Sequence, residues 1–126
     1  MKPLTLEWIN LAEGDWGTAN RELAVRVDTN FKAVSFHAQQ CGEKYLKAYL
    51  QEINHEPERT HDLNFLLDKI LPHMPTWENL RDSCHILTDF AVDHRYPGTT
   101  TSHAEAISAV QHAGLVRRAV RAALSQ

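Results

Sequence analysis

Apolar residues recur every three to four positions along most of the chain, which is the spacing of one face of an α-helix. The first such segment runs from Ile9 to Leu23, and the strongest runs from Phe31 to Ile53. No segment alternates between apolar and polar residues well enough to require a strand. The pattern therefore predicts an all-α fold.

The breaks between these segments carry residues that favour turns and helix caps. Residues 28–30 (Asp-Thr-Asn) separate the first two helices, and the polar segment 54–59 contains a proline. Thr60 or Asp62 can then cap a short third helix. The broad apolar face of that helix ends at Pro72.

The second half of the chain predicts two more helices. Pro75 keeps the connection after the third helix non-helical, and the fourth helix runs from Leu80 to near Asp93. Ser102 and Glu105 have the separation of a capping box, so the fifth helix begins there. These elements predict an up-and-down helical bundle of four main helices plus one short helix.

Two glycines interrupt the first predicted helix. Each interior glycine costs up to about 1 kcal/mol relative to alanine, so this helix depends on packing. We expect a close contact with another helix to explain the small residues Gly14 and Gly17.

Length and charge narrow the functional classes. A chain of 126 residues fits one domain, residues 1–126. Its formal net charge of -3 gives no general attraction to nucleic acid or anionic membranes, so any contact with nucleic acid must use a local patch. The apolar runs are too short to span a bilayer, and the amino terminus has no basic segment followed by an apolar stretch. The expected location is therefore the cytoplasm.

Cysteine spacing and known motifs give no sign of a metal or cofactor site. Cys41 and Cys84 fit neither a zinc site nor a redox pair, and we expect both to be reduced core residues. The chain has no phosphate-binding loop, no dinucleotide-binding glycine motif and no zinc-protease helix motif. We therefore expect no metal and no cofactor.

The polar side of the second helix carries a stripe of candidate binding residues. His37, Gln40, Lys44 and Lys47 are offset by three, four and three residues, so they fall near one line on the helix. The lysines can neutralise phosphate charge, and the other two side chains can supply hydrogen bonds to a nucleotide or a partner. The alternative is an ordinary solvated helix face.

A second candidate lies just before the third helix, in residues 59–62 (Arg-Thr-His-Asp). Exposed amides at the start of the helix, together with Arg59 and His61, would favour a negatively charged ligand. Capping by Thr60 or Asp62 explains half of the cluster without any ligand.

The third candidate is the loop from Asp93 to His103, which contains proline and glycine. Arg95 can hold a phosphate by a bidentate contact, Tyr96 can stack on a base, and His103 can act as a general acid or base. Alternatively, Tyr96 packs the loop and Arg95 pairs with a carboxylate.

Three segments resemble signatures of the HEPN family, the higher eukaryotes and prokaryotes nucleotide-binding domain. Residues 36–48 (FHAQQCGEKYLKA) resemble its second-helix signature, and residues 60–63 (THDL) resemble its turn before the third helix. Residues 91–97 (AVDHRYP) resemble its loop before the last helix. The three segments follow the family's order in a helical chain of matching length.

The resemblance implies a helical bundle that usually dimerises and often acts beside a minimal nucleotidyltransferase encoded by a neighbouring gene, sometimes as a toxin–antitoxin pair. Many toxin-like members are metal-independent endoribonucleases with an arginine, four to six intervening residues and a histidine near the last helix. Here Arg95 and His103 are separated by seven residues, so the ribonuclease motif is imperfect.

The leading hypothesis is therefore a non-enzymatic homodimer that binds a nucleotide, RNA or a nucleotidyltransferase partner. The contacts are expected from the three candidate regions, through His37, Gln40, Lys44, Lys47, His61, Arg95 and Tyr96. The alternatives are an endoribonuclease that uses Arg95 and His103, and a purely structural interaction module. No motif indicates DNA binding.

Overall fold

Five α-helices and one 3-10 helix make up the computed structural model, which describes residues 1–92 and 97–125; this part of the chain contains no strand. The α-helices are α1 (Pro3–Leu23), α2 (Phe31–Glu52), α3 (Leu63–Ile70), α4 (Arg81–Val92) and α5 (His103–Leu124). The predicted all-α bundle is confirmed, with α3 as its short helix. None of the helices in these two ranges is both long enough and apolar enough to cross a membrane.

The second helix is the centre of the bundle, because each of the other four α-helices packs against it. This position explains why buried apolar residues lie on several sides of α2, since a helix covered on several sides must be apolar on more than one face. Its covered faces also include polar side chains. Four of these are buried: Ser35, Gln39, Glu43 and Lys47.

The predicted helix caps form as expected. The Asp62 carboxylate accepts hydrogen bonds from the amides of Asn64 and Phe65 at the start of α3. Ser102 and Glu105 form a reciprocal capping box at the start of α5. Local side-chain chemistry therefore sets both helix starts.

The connection after α3 differs from the prediction. A 3-10 helix, Pro75–Leu80, occupies it and buries Trp77 beside Tyr49, with ring centroids 4.8 Å apart. Proline fits at the start of a helix because the amide it lacks has no partner there in any case. Pro75 therefore begins a helical turn instead of preventing one.

The two cysteines are reduced core residues, as expected. Both thiols are free and fully buried. Burial raises the pKa of each thiol, that of Cys84 to about 12, so both stay protonated and unreactive. Among the described residues, no group of three or more His, Cys, Asp or Glu side chains could hold a metal ion.

Glu13 connects α1 to both α2 and α5. Its carboxylate accepts two hydrogen bonds from Arg117, each 2.7 Å long, and a third from the hydroxyl of Tyr45. Arg121 donates to the Tyr45 hydroxyl at 3.2 Å. The Arg117 bonds hold the pKa of Glu13 down at about 2, whereas burial and the bond to Glu13 raise the pKa of Tyr45 to about 12. This cluster fixes α5 against the other two helices.

The glycines of α1 do not mark a close helix contact, so that expectation was wrong. A methyl group at Gly14 would lie in open space, and one at Gly17 would meet only the flexible end of Arg21. The close approach is on α2 instead, where a methyl group at Gly42 would lie 2.9 Å from a methyl carbon of Leu87.

Replacing Gly14 by alanine should therefore raise the free energy of unfolding by about 0.5–1 kcal/mol. Alanine loses less backbone entropy on folding and meets no neighbour at this site. Urea denaturation followed by circular dichroism measures the change. Gly42→Ala is the matched control and should destabilise, because the Leu87 side chain must move. A loss of stability in Gly14→Ala would show that this part of α1 is not an exposed helix.

Candidate functional site

A line of polar side chains runs along α2, between α1 and the residues before α3. We call it the α2 seam. It consists of His37, Gln40, Lys44 and Lys47 of α2, His61 before α3, and two buried carboxylates, Asp15 of α1 and Glu43 of α2. The seam joins two of the three candidate regions of the sequence.

Asp15 organises the half of the seam nearer the start of α2. One carboxylate oxygen, Oδ1, lies 2.7 Å from Nδ1 of His37, and the other, Oδ2, accepts from Nζ of Lys44 at 2.6 Å. Short hydrogen bonds to an ionised carboxylate are strong. Asp15 therefore orients the His37 ring and balances the charge of Lys44.

Glu43 organises the other half in the same way. Its Oε1 lies 2.8 Å from Nδ1 of His61 and accepts from the amide of Gln39 at 2.9 Å, while Oε2 accepts from Nζ of Lys47 at 3.0 Å. Only 3% of Glu43 and 6% of Lys47 is exposed. Gln40 extends the network by donating to Gln39 at 2.7 Å. The seam therefore contains a buried ion pair.

The two halves repeat one arrangement, in which a carboxylate holds one lysine and the Nδ1 atom of one histidine. Within residues 1–92 and 97–125, no protein group bonds Nε2 of His37 or His61. Both imidazoles are partly exposed. Nε2 can accept a hydrogen bond when the ring is neutral and donate one when it is protonated. Each histidine therefore offers an oriented nitrogen to a ligand.

His37 also lines a cavity of ≈ 490 Å³ at the amino-terminal end of α2. The cavity walls include Asn30, Lys32, Ser35, Phe36 and Phe90. Its volume lies in the range of small-molecule sites, and aromatic rings are surfaces on which bases stack. Polar groups and aromatic rings thus meet beside an oriented histidine.

His103, the first residue of α5, lies at the same end of α2. Its ring stacks on Phe31, with centroids 5.1 Å apart and an angle of 22° between the planes. Arg95 and Tyr96 lie outside the described residues. The proposed pairing of Arg95 with His103 therefore stays a prediction.

The structure corrects the view that the α2 stripe is a polar, solvated face. Lys47 is buried against Glu43, and Lys44 pairs with Asp15, so neither ammonium is a free counter-charge for phosphate. Sequence reasoning missed both carboxylates. The available signals were an acid on the apolar face of α1, at Asp15, and the four-residue spacing of Glu43 and Lys47.

The anion site expected at the start of α3 is also corrected. The carboxylate of Asp62 occupies the amides of Asn64 and Phe65, and the hydroxyl of Thr88 accepts from the amide of Leu63 at 3.0 Å. A second negative charge would meet the carboxylate of Asp62 there. The capping interpretation of this cluster is the one that the structure supports, while His61 belongs to the α2 seam.

Residues 5–123 match the family described as HEPN domain. No curated protein and no solved structure matches the chain. The family match covers nearly the whole chain, including every residue of the α2 seam.

Proposed function

We propose, since the chain belongs to the HEPN domain family, that it is a nucleotide- or RNA-binding helical protein that works as a homodimer with a minimal nucleotidyltransferase. One observation carries the binding activity: the α2 seam presents two carboxylate-oriented histidines, one of them in an aromatic-lined cavity. The homodimer is proposed from the family resemblance. The same resemblance is the basis for proposing that this protein and the nucleotidyltransferase form a toxin–antitoxin-type pair.

The proposed ligand contacts both the cavity and the Nε2 atom of His37. A base enters the cavity and packs beside the exposed ring of Phe36, while a phosphate oxygen accepts a hydrogen bond from Nε2 of protonated His37. Asp15 holds the ring of His37 in place from the other side. Binding therefore depends mainly on stacking and oriented hydrogen bonds, since the seam lysines are already paired with carboxylates.

Replacing His37 by alanine should weaken the binding of a fluorescently labelled single-stranded RNA by about tenfold, the value of one good hydrogen bond to a charged group. Fluorescence anisotropy titrations measure the change. His85→Ala is the matched control, because His85 is exposed on α4 away from the seam, and it should bind as the unmodified protein does.

The salt dependence of the same titration gives a second criterion. Because Lys44 and Lys47 are paired internally, we expect few released counterions and less than about a tenfold loss of affinity between 50 and 200 mM salt. Equal affinities of the His37→Ala and His85→Ala variants would contradict the proposed site. Absence of binding to RNA, ATP and GTP would remove the binding function altogether.

RNA cleavage is the outcome that would replace this proposal with the enzymatic one. The RNA from the titrations is examined on denaturing gels, with and without chelator, for the unmodified protein and for Arg95→Ala and His103→Ala. Chelator-resistant cleavage that both substitutions abolish would identify an endoribonuclease. Intact RNA at high protein concentration supports binding without catalysis.

The homodimer and the partner are tested separately. Light scattering during gel filtration gives the mass of the isolated protein, and co-purification with the product of a neighbouring nucleotidyltransferase gene tests the pair. A monomer at all concentrations would contradict the homodimer, and separate elution of the two proteins would contradict the partner. Neither result affects the RNA titrations.

A further inference from the structure

A groove lies on the far side of α1 from α5, where α1 faces the segment that connects α2 to α3. We call it the α1 groove and define it by Leu4, Glu7, Trp8, Leu11, Glu56 and Glu58. It encloses ≈ 390 Å³. We infer that this groove binds a cationic amphipathic helix of a partner protein, and this inference does not depend on the proposed RNA site.

The apolar part of the groove is exposed to water. Leu4 and Leu11 are each 54% exposed, and they lie seven residues apart, two helical turns or about 10 Å. Trp8 lies between them and is partly buried. Leucines at this spacing form one side of a helix–helix contact. A partner helix with matching apolar residues would remove both leucines from water.

The rim of the groove is acidic. Within residues 1–92 and 97–125, the carboxylates of Glu7, Glu56 and Glu58 form no ion pair or side-chain hydrogen bond. The cations that line the groove are Lys47, which is already paired with Glu43, and Arg59. Counted against the described part of the chain, three carboxylates without an ion pair therefore face one such cation, Arg59.

The excess of negative charge favours a cationic partner over nucleic acid. Phosphate groups would be repelled by the excess of carboxylates, so the groove is a poor site for nucleic acid. Lysine or arginine side chains of the partner would pair with the carboxylates of the rim. An amphipathic helix supplies both groups at once, with its apolar stripe on the leucines and its basic flanks on the rim.

The test uses two synthetic helical peptides of about 18 residues, long enough to span the groove. One carries leucines at three- and four-residue spacing with lysines elsewhere, and the other replaces every lysine by glutamate. Isothermal calorimetry with the purified protein should give micromolar affinity for the lysine peptide and at least about tenfold weaker binding of the glutamate peptide.

Variants locate the contact. The double variant Leu4→Ser with Leu11→Ser should bind the lysine peptide about tenfold more weakly or worse. The double variant Glu56→Gln with Glu58→Gln should show a similar loss of affinity. The matched control is Leu6→Ser, because Leu6 is equally exposed on the opposite side of α1, and it should leave affinity unchanged. Circular dichroism confirms that each variant is folded.

Several results would overturn the inference. Equal affinities for the two peptides would show that charge does not select the occupant. Equal losses of affinity in Leu6→Ser and in the groove variants would show that the peptide does not bind in the α1 groove. Displacement of the peptide by single-stranded RNA would reassign the groove to nucleic acid. A change of molecular mass in Leu4→Ser with Leu11→Ser would show that a second copy of this chain covers the leucines. RNA binding that survives in the groove variants keeps this test distinct from the proposed function.

Discussion

Replacing Glu43 by glutamine is expected to lower the free energy of unfolding by about 3–5 kcal/mol. The substitution keeps the shape of the side chain but removes the charge that balances Lys47, whose exposed fraction is only 6%. The ammonium would then be buried without a carboxylate. The Trp8 ring, whose centroid lies 5.6 Å from Nζ, offers a weaker interaction that does not replace the ion pair.

Urea denaturation of the Glu43→Gln variant measures this loss of stability. A double variant tests whether the loss comes from the unpaired charge of Lys47. Glu43→Gln with Lys47→Met removes both charges and keeps an unbranched side chain at position 47. Because a buried ion pair can often be exchanged for apolar groups at little cost, the double variant should recover most of the lost stability. The single variant Lys47→Met completes the comparison. A loss in the double variant equal to the sum of the losses in Glu43→Gln and Lys47→Met would contradict the buried pair, as would a loss below about 1 kcal/mol in Glu43→Gln.

Replacing Glu13 by glutamine is expected to cost about 2 kcal/mol at neutral pH and nothing in strong acid. Glutamine cannot accept both hydrogen bonds from Arg117, and it brings an amide group towards the guanidinium. The Glu13 carboxylate is 31% exposed, so water screens part of the interaction. We therefore expect a smaller loss of unfolding free energy than the full pKa shift would correspond to.

The pH dependence follows from the low pKa of Glu13, which is about 2 in the folded protein against an ordinary value of 4.5. A pKa that is lower in the folded state means that the ionised group stabilises the fold at pH values above 4.5. This contribution is lost progressively as the pH falls from 4.5 to 2. The difference in unfolding free energy between the unmodified protein and Glu13→Gln should shrink over that interval.

Urea denaturation at several pH values between 7 and 2 measures this difference directly. Glu22→Gln, on the same helix and outside the Glu13 cluster, is the matched control and should cost less stability at neutral pH than Glu13→Gln does. A Glu13→Gln difference that stays constant down to pH 2 would show that ionisation of Glu13 does not hold α5 to α1.

The sequence predicts those parts of the fold that depend on neighbours along the chain. The order of the helices follows from apolar spacing, and the starts of α3 and α5 follow from Asp62 and from Ser102 with Glu105. Each cap is a contact between residues two or three positions apart. Such local contacts can be predicted from the sequence before any tertiary structure is known.

Contacts between helices could not be predicted in this way. Asp15 and His37 are 22 residues apart, and they meet only because α1 crosses α2 at that level. Gly14 and Gly42 are both glycines within helices, yet one faces open space and the other faces Leu87. The sequence therefore predicts which residue types the candidate site uses, but not that the lysines of the stripe are already paired.

The central position of α2 also determines how the domain loses its structure. Because every other α-helix packs on α2, its amides are covered as long as those helices stay in place. The detachment of any one helix exposes part of α2, including polar groups that are satisfied only inside the bundle. Partial opening is therefore unfavourable, and the domain is expected to unfold as one cooperative unit, so that the amides of α2 exchange with solvent only when the whole domain unfolds.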